Sequence, residues 1–533
     1  MEVTQDSGLD QRPARDRRRG MRVVGVEEMR EIERRAEVEY GLTSPMLMER
    51  AGRSVAEILR SHAGGDVRDL DVLVLVGPGN NGGDGRVAGR YLAGWGARLT
   101  TFLWKENTLE SSGRVISAGG QLEALREALA SADIVVDALL GTGHTRPLAP
   151  TMRQALALVE AERQRRPVDL IVLAVDLPSG LNADTGAVDE GTIAADLTVT
   201  LAFPKIGLYL FPGAALVGEL EVGSIGLPDE MPIPPGMELL DAPLVRPALP
   251  PRPLESNKGT YGKAMILAGS PQFIGAAHLA ASAAGRIGAG LITIATTRDL
   301  SSVYAASLVE ATYCLLPPLD AKPQERARVL LDALHGYRAL VVGPGLGQSD
   351  ATRDFLLRVF DGVRALPESE RPRLIVDADG LNNLSRVEQW RERLPEETVL
   401  TPHPGEMARL RGGAQVSGGG VDRLAVAREC AHAWGHVVVL KGACTLIAAP
   451  DGALRLNWPG NPALATAGTG DVLAGTIGGL LAQGMAPFDA ANAGVYLHSR
   501  AGLLVSARLG DAGLLASDLL PELPLALRAT KDS

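Results

Sequence analysis

The chain has 533 residues, too many for one ordinary hydrophobic core, so two or more domains are expected. Apolar residues make up 46% and charged residues 22%, a composition that builds buried cores and is normal for a globular protein. A formal charge of -10 argues against a general nucleic-acid binder, because the single concentrated basic run, residues 12–19, lies in a polar leader.

No apolar segment follows that leader as it would in a secretory signal, and no run is long enough to span a membrane. Residues 1–21 read as a disordered arm, and a cytoplasmic location without nucleic-acid or membrane partners is expected. Cys314, Cys430 and Cys444 are odd in number and widely spaced, which fits neither a disulfide framework nor a zinc site.

From about residue 23, Met29, Ile32 and Ala36 recur at helical spacing, and a second amphipathic run covers 45–59. Short apolar runs then alternate with helix-like stretches: 72–76, 134–140, 170–175 and 197–201. That alternation predicts a parallel sheet covered on both faces, with ligands at the carboxyl ends of its strands. Between about 227 and 253 nine prolines interrupt the pattern, so residues 229–254 are expected to form a stiff extended connector. A second series follows, with apolar runs at 264–267, 291–295, 339–342, 374–376 and 437–440. Asp451-Gly452 reads as a hairpin turn, and the chain ends in helices at 471–481 and 489–508. The fold class is α/β, with two unlike three-layer αβα domains at 22–228 and 255–528.

In the second domain a glycine loop, Gly468-Thr469-Gly470, runs directly into a helix beginning near Asp471. Glycines let several backbone N–H groups face one anion, and the helix N-terminus adds its positive end, so the loop suits a phosphate. A carboxylate there is commonly a simple cap. Beside a phosphate it costs repulsion, which a general base acting on an attacking hydroxyl would justify. Lys441-Gly442-Ala443-Cys444-Thr445 follows a strand and offers a cation near a nucleotide, although a lysine at a strand end is as often merely solvated. His403, fixed between two prolines in Thr401-Pro402-His403-Pro404-Gly405-Glu406, is a poor core packer. Gly343-Pro344-Gly345-Leu346-Gly347 and Asp377-Ala378-Asp379-Gly380 add two further loops after strands.

Residues from about 255 to 525 thus resemble the ribokinase-like superfamily and, within it, the ADP- or ATP-dependent NAD(P)H-hydrate dehydratases. Lys258-Gly259, Tyr261-Gly262, Gly269-Ser270, Gly275-Ala276, Gly460-Asn461-Pro462 and Ala465-Thr466 carry the likeness together with the loops above. The resemblance implies that the S hydrate of NADH or NADPH is phosphorylated at its C6 hydroxyl, with ADP preferred as donor and magnesium beside it, after which phosphate leaves. Asp471 would take the hydroxyl proton. Gly470 and Lys441, Gly442, Ala443, Cys444 and Thr445 would hold the nucleotide, while Ala276, Gly345 and His403 would line the hydrate pocket. Asn257, Ala467 and Val309 depart from the family pattern, but none is a catalytic group.

In the first domain, Val76-Gly77-Pro78-Gly79-Asn80-Asn81-Gly82-Gly83-Asp84-Gly85 follows the first strand. Its glycine spacing is not that of a dinucleotide fingerprint, and by itself the run reads as a tight turn. Asp137-Ala138-Leu139-Leu140-Gly141-Thr142-Gly143 and Asp176-Leu177-Pro178-Ser179-Gly180 follow later strands and supply the oxygen ligands that hard cations prefer. Residues 22–228 resemble the NAD(P)H-hydrate epimerases, a Rossmann-like family, through these stretches and through Ala195-Asp196 and Pro204-Lys205. The resemblance implies a potassium ion on Asn81, Asp137 and Ser179. The hydrate would be held by Asn80, Asn81, Gly82, Gly83, Asp84, Gly141, Thr142, Gly143, His144, Thr145, Arg146, Pro147 and Asp176. Asp137 and Lys205 are the catalytic candidates, Lys205 against an equal weight for a solvated strand-end lysine.

The two likenesses complement each other: a dehydratase specific for one epimer strands the other unless an epimerase supplies it. A repair enzyme for both hydrates (NADHX and NADPHX) is therefore expected, as a homo-oligomer. The rivals are a kinase for a vitamin or other small alcohol, which gains nothing evident from the first domain, and a non-catalytic binding protein, which would not need Asp137 and Asp471.

Overall fold

The computed structural model describes residues 21–104, 113–117, 122–143, 146–233, 236–416 and 422–533. It divides into two compact units, Arg22–Gly236 and Met237–Ser533, the second also taking in Met21.

The first unit opens with helices Val26–Tyr40 and Ser44–His62. Val26, Met29, Ile32 and Ala36 form the buried stripe of the first helix, which stops where Gly41 turns left-handed. Its sheet comprises β1 (Asp71–Val76), β2 (Arg98–Leu103), β3 (Arg114–Ser117), β4 (Ile134–Ala138), β5 (Ile171–Val175), β6 (Leu197–Leu201) and β7 (Glu219–Gly223). The order is β3-β2-β1-β4-β5-β6-β7 and every pairing is parallel. The central strands are apolar throughout because helices cover both faces of the sheet. Chain direction across the sheet reverses between β1 and β4, which opens a crevice at their carboxyl ends. There Gly77 lies so close to the Leu139 carbonyl that a Cβ would come within 1.6 Å of its oxygen.

The second sheet comprises β8 (Met237–Leu239), β9 (Lys263–Leu267), β10 (Leu291–Thr297), β11 (Thr312–Leu316), β12 (Ala339–Val342), β13 (Arg373–Val376), β14 (Val399–Leu400), β15 (Val437–Leu440), β16 (Thr445–Ala448) and β17 (Leu454–Asn457). Its order is β11-β10-β9-β12-β13-β14-β15-β16-β17-β8. The strands from β9 to β15 are parallel, whereas β16 runs antiparallel to both neighbours through the expected Asp451-Gly452 turn. The reversal point lies between β9 and β12.

The proline-rich stretch is not a free spacer, which corrects the expected connector at 229–254. Residues 237–239 form the edge strand β8, parallel to β17. Asp241 caps the helix Ala242–Val245, its carboxylate accepting from the Leu244 N–H at 2.9 Å. Pro243 is accommodated because the first helical turn needs no N–H from it. Leu240, Val245 and Leu249 are buried in the second unit's core.

The helix carrying Asp471 spans Thr469–Ala482 and packs on helix Ile274–Arg286 through small residues. A Cβ on Gly475 would lie 2.0 Å from the Ala280 carbonyl oxygen, and one on Gly479 would lie 2.7 Å from that of Ala284. On its other side Gly478 meets Val341 and Ile375 of the sheet. Two helices and a sheet can approach this closely only where side chains are absent. Gly475→Ala is therefore expected to destabilise the protein by about 1–3 kcal/mol through overpacking, measured by urea unfolding. An unchanged midpoint would show that the two helices are not in this contact.

Candidate functional site

In the first unit, the carboxyl ends of adjacent strands bring together the loops that carry the candidate residues. Asp137 ends β4 and is 1% exposed. Its Oδ1 accepts from Ser179 Oγ at 2.7 Å and the Leu139 N–H at 3.2 Å, and its Oδ2 accepts from the Ser179 N–H at 2.9 Å. Burial pushes its carboxyl pKa up, and these three bonds oppose the shift. The Asn81 side chain borders Gly141, and its buried amide nitrogen has no partner among the described residues. An Asn amide turned over presents oxygen instead.

The solvated reading of Lys205 does not hold, since the residue is 1% exposed. Its Nζ pairs with Asp176 Oδ1 and donates to the Leu201 carbonyl at 2.8 Å and to Thr200 Oγ1 at 3.3 Å. Asp176, at a φ of 68°, also accepts from the Leu201 N–H at 3.1 Å, so the ion pair bridges the ends of β5 and β6. Asp84 is the fifth residue of helix Asn80–Gly94 and is 7% exposed. Burial raises its carboxyl pKa well above the usual range; Asp176 and the solvent-facing Glu33 add repulsion, and Lys205 opposes it. Asn80, Gly82 and Gly83 open the same helix, while Gly141, Thr142 and Gly143 follow β4. Arg146 and Pro147 are exposed, and His144 and Thr145 lie outside the described residues.

In the second unit Asp471 is the third residue of its helix; the cap is Gly468, in the left-handed region at φ 89°. This disposes of the capping explanation for Asp471. Its carboxyl is pushed up to about 7, by burial first and then by Asp377 and Asp379, with Lys441 working against the shift. Lys441, directly after β15, donates to Asp377 Oδ1 at 2.7 Å and lies 3.9 Å from Glu406 Oε2. Burial lowers its pKa, but these two carboxylates outweigh burial and keep the ammonium charged. Gly470 borders the pair: a Cβ there would stand 3.5 Å from Lys441 Nζ and 3.9 Å from Asp377 Oδ2. The loop is braced from behind by His498, whose Nε2 meets the Thr469 carbonyl oxygen at 2.9 Å; burial depresses its pKa to about 4, so the ring is neutral.

His403 caps helix Pro404–Leu410. Its Nδ1 accepts from the Gly405 N–H at 3.0 Å, which leaves the proton of the neutral ring on Nε2, and its backbone N–H donates to Glu406. Burial and the nearby Lys441 lower its pKa, so the half-exposed ring is neutral at pH 7. Gly345, at φ 64°, abuts Phe273 and Ala276, so the expected pocket residues Ala276 and Gly345 do share one wall. Among the nucleotide candidates, Gly442 and Ala443 are exposed beside Lys441, while Cys444 is buried and its thiol pushed up to about 11. Asp377, Glu406 and His498 were not picked out individually in the sequence. Asp377 immediately after a buried strand and Glu406 three residues after a cap were the available signals; His498 offered none.

Residues 264–525 match the family model described as NAD(P)H-hydrate dehydratase, and residues 44–207 the model described as YjeF-related protein N-terminus. The bifunctional NAD(P)H-hydrate repair enzyme Nnr of Moorella thermoacetica is 40% identical, covering 95% of this chain and 97% of its own length. Its counterpart from Thermofilum pendens is 37% identical over 96% and 97%. The chain belongs to the bifunctional NAD(P)H-hydrate repair enzyme family. Among solved structures, the ADP/ATP-dependent NAD(P)H-hydrate dehydratase from Bacillus subtilis is 34% identical, covering 55% of this chain and 98% of that one, with a TM-score of 0.47. Among the described residues, no helix is long and apolar enough to cross a membrane.

In this family member the charge of Lys441 restrains the Asp471 carboxyl from rising further. Lys441→Met is expected to move the Asp471 titration midpoint above its value of about 7, read by carbon-13 NMR of the labelled carboxyl. A midpoint that stayed or fell would contradict the electrostatic coupling.

Proposed function

We propose that the chain repairs hydrated NADH and NADPH: the first unit interconverts the R and S hydrates at C6, and the second dehydrates the S hydrate using ADP. The carrying observation is a half-ionised Asp471 at a glycine-rich helix start, beside the Lys441–Asp377 pair.

A base with a pKa near the working pH combines a useful ionised fraction with proton affinity. Asp471 takes the proton of the C6 hydroxyl as its oxygen attacks the terminal phosphoryl group. Gly470 and the helix start face the transferred phosphate with backbone N–H groups, and residues 441–445 hold the nucleotide. The hydroxyl has then become phosphate, a far better leaving group; as the C6–O bond breaks, C5 gives up a proton to the departing phosphate and the C5=C6 double bond of the dihydronicotinamide ring is restored. ADP gives AMP in this step. His403, with its proton on Nε2, donates to the hydrate in the pocket walled by Ala276 and Gly345.

Three carboxylates, Asp377, Glu406 and Asp471, surround one lysine, so a polyphosphate here needs additional positive charge. Magnesium bound with the donor would supply it, and Asp377 is the carboxylate that would hold it. In the first unit the buried Asp137 carboxylate and the orphaned Asn81 amide fit a monovalent cation, with Ser179 as neighbour. Potassium would compensate the buried charge and hold the loops after β1, β4 and β5 in register. We place the enzyme in the cytoplasm, as a homo-oligomer.

The discriminating experiment supplies mixed R and S hydrate with ADP or ATP and follows reduced dinucleotide together with the nucleotide product. A stable phosphorylated product without recovered NADH would favour a small-alcohol kinase instead. Asp471→Ala is expected to abolish dehydration while leaving interconversion of the epimers intact, and wild-type dehydration should rise as the pH passes about 7. Retained dehydration would remove Asp471 as the base. Replacing potassium by a bulky organic cation, or Asp137 by Ala, should confine consumption to the S hydrate; loss of the R form at the normal rate would refute the ion site.

A further inference from the structure

We propose that Asp84 is the general acid of the first unit's site, giving its carboxyl proton to the C6 hydroxyl of the hydrate as that oxygen leaves. This rests on the reading of the first unit as an epimerase and assigns the group that performs its chemistry.

The other candidates are already committed. Asp137 accepts three hydrogen bonds from Ser179 and Leu139, and Lys205 directs its ammonium at Asp176, Leu201 and Thr200. Both serve to hold the ends of β4, β5 and β6. Asp84 differs: it is more than nine-tenths buried, yet its carboxyl makes no hydrogen bond or ion pair among the described residues. The charged groups facing it are Asp176, Glu33 and Lys205, two carboxylates and one ammonium. Burial and the two carboxylates raise its proton affinity well above that of an ordinary carboxyl, the direction a proton donor requires.

The hydrate carries its C6 hydroxyl beside the ring nitrogen. As Asp84 protonates the hydroxyl oxygen, the C6–O bond breaks, the N1 lone pair forms a C6=N1 iminium, and water departs. A water molecule then adds to the opposite face of C6, and the iminium π pair returns to nitrogen. The proton released by that water passes to Asp176, whose Oδ2 is uncommitted while Oδ1 is tied to Lys205. The reverse conversion uses the two carboxyls with exchanged roles; between successive conversions in one direction Asp176 gives its proton to solvent and Asp84 takes one back, so protons and oxygens balance.

The test uses the full-length protein carrying Asp84→Asn, with R hydrate alone and conversion to S followed by chromatography. General acid catalysis contributes about 10²–10⁴-fold, so kcat should fall by at least about 100-fold with KM little changed. Dehydration of the S hydrate should keep its wild-type rate, and an unchanged unfolding transition of the first unit in calorimetry shows that the substituted unit folds. In the wild type, epimerisation should decline as the pH rises through the raised Asp84 titration and its proton is lost, and that limb should be absent in the variant. In ¹⁸O-water, each wild-type conversion should place one solvent oxygen at C6. Wild-type epimerisation in Asp84→Asn with the same alkaline limb, or conversion without oxygen exchange, would overturn the proposal. Failure of the wild-type protein itself to interconvert the hydrates would instead remove the epimerase reading on which it rests.

Discussion

The backbone approach of helix Thr469–Ala482 to helix Ile274–Arg286 is the constraint from which the second site follows. Gly475 and Gly479 sit against the Ala280 and Ala284 carbonyls, and Gly478 presses on β12 and β13. The helix is thereby locked over the sheet, with its N-terminus near the ends of β13 and β15. Only then does Asp471 come within electrostatic range of Asp377 and Lys441. A bulkier face would displace the helix, and the carboxylate would regain water and its ordinary acidity.

Both units use one electrostatic device. A lysine recessed at the end of a strand is paired with a carboxylate from the end of another strand: Lys441 with Asp377, and Lys205 with Asp176. Leaving either partner alone would cost several kcal/mol, so these pairs fix the geometry of their loops more than they add net stability. A further carboxyl beside each pair, Asp471 or Asp84, is deprived of water without gaining a close cation of its own. Its proton affinity rises as a result. The ordinary requirement that buried charge be paired thus produces, beside each pair, a carboxyl with raised proton affinity.

Much of this was legible in the chain. Continuous apolar runs marked the central strands, because strands covered on both faces have no polar side. Glycine-rich loops after those runs located both sites. The peripheral strands β2, β3, β7, β8 and β11 were less visible, since strands at or near a margin carry polar residues and lose the continuous signal. The proline-rich stretch was misread for a related reason: proline count reports where ladders cannot form, but the proline-free residues 237–239 suffice for an edge strand.

The sequence by itself determined the two α/β units, the loops that bind, and Asp471 as a carboxylate at a glycine-rich helix start. These depend on local pattern and on motifs short enough to be read along the chain. The tertiary structure alone decided which carboxyls hold their protons more tightly than usual. That property comes from burial and from charges brought by other strands, such as Asp377 beside Asp471 and Asp176 beside Asp84, 94 and 92 positions away along the chain. It also showed that Lys205 is buried and committed to Asp176, where the sequence left a solvated lysine equally open.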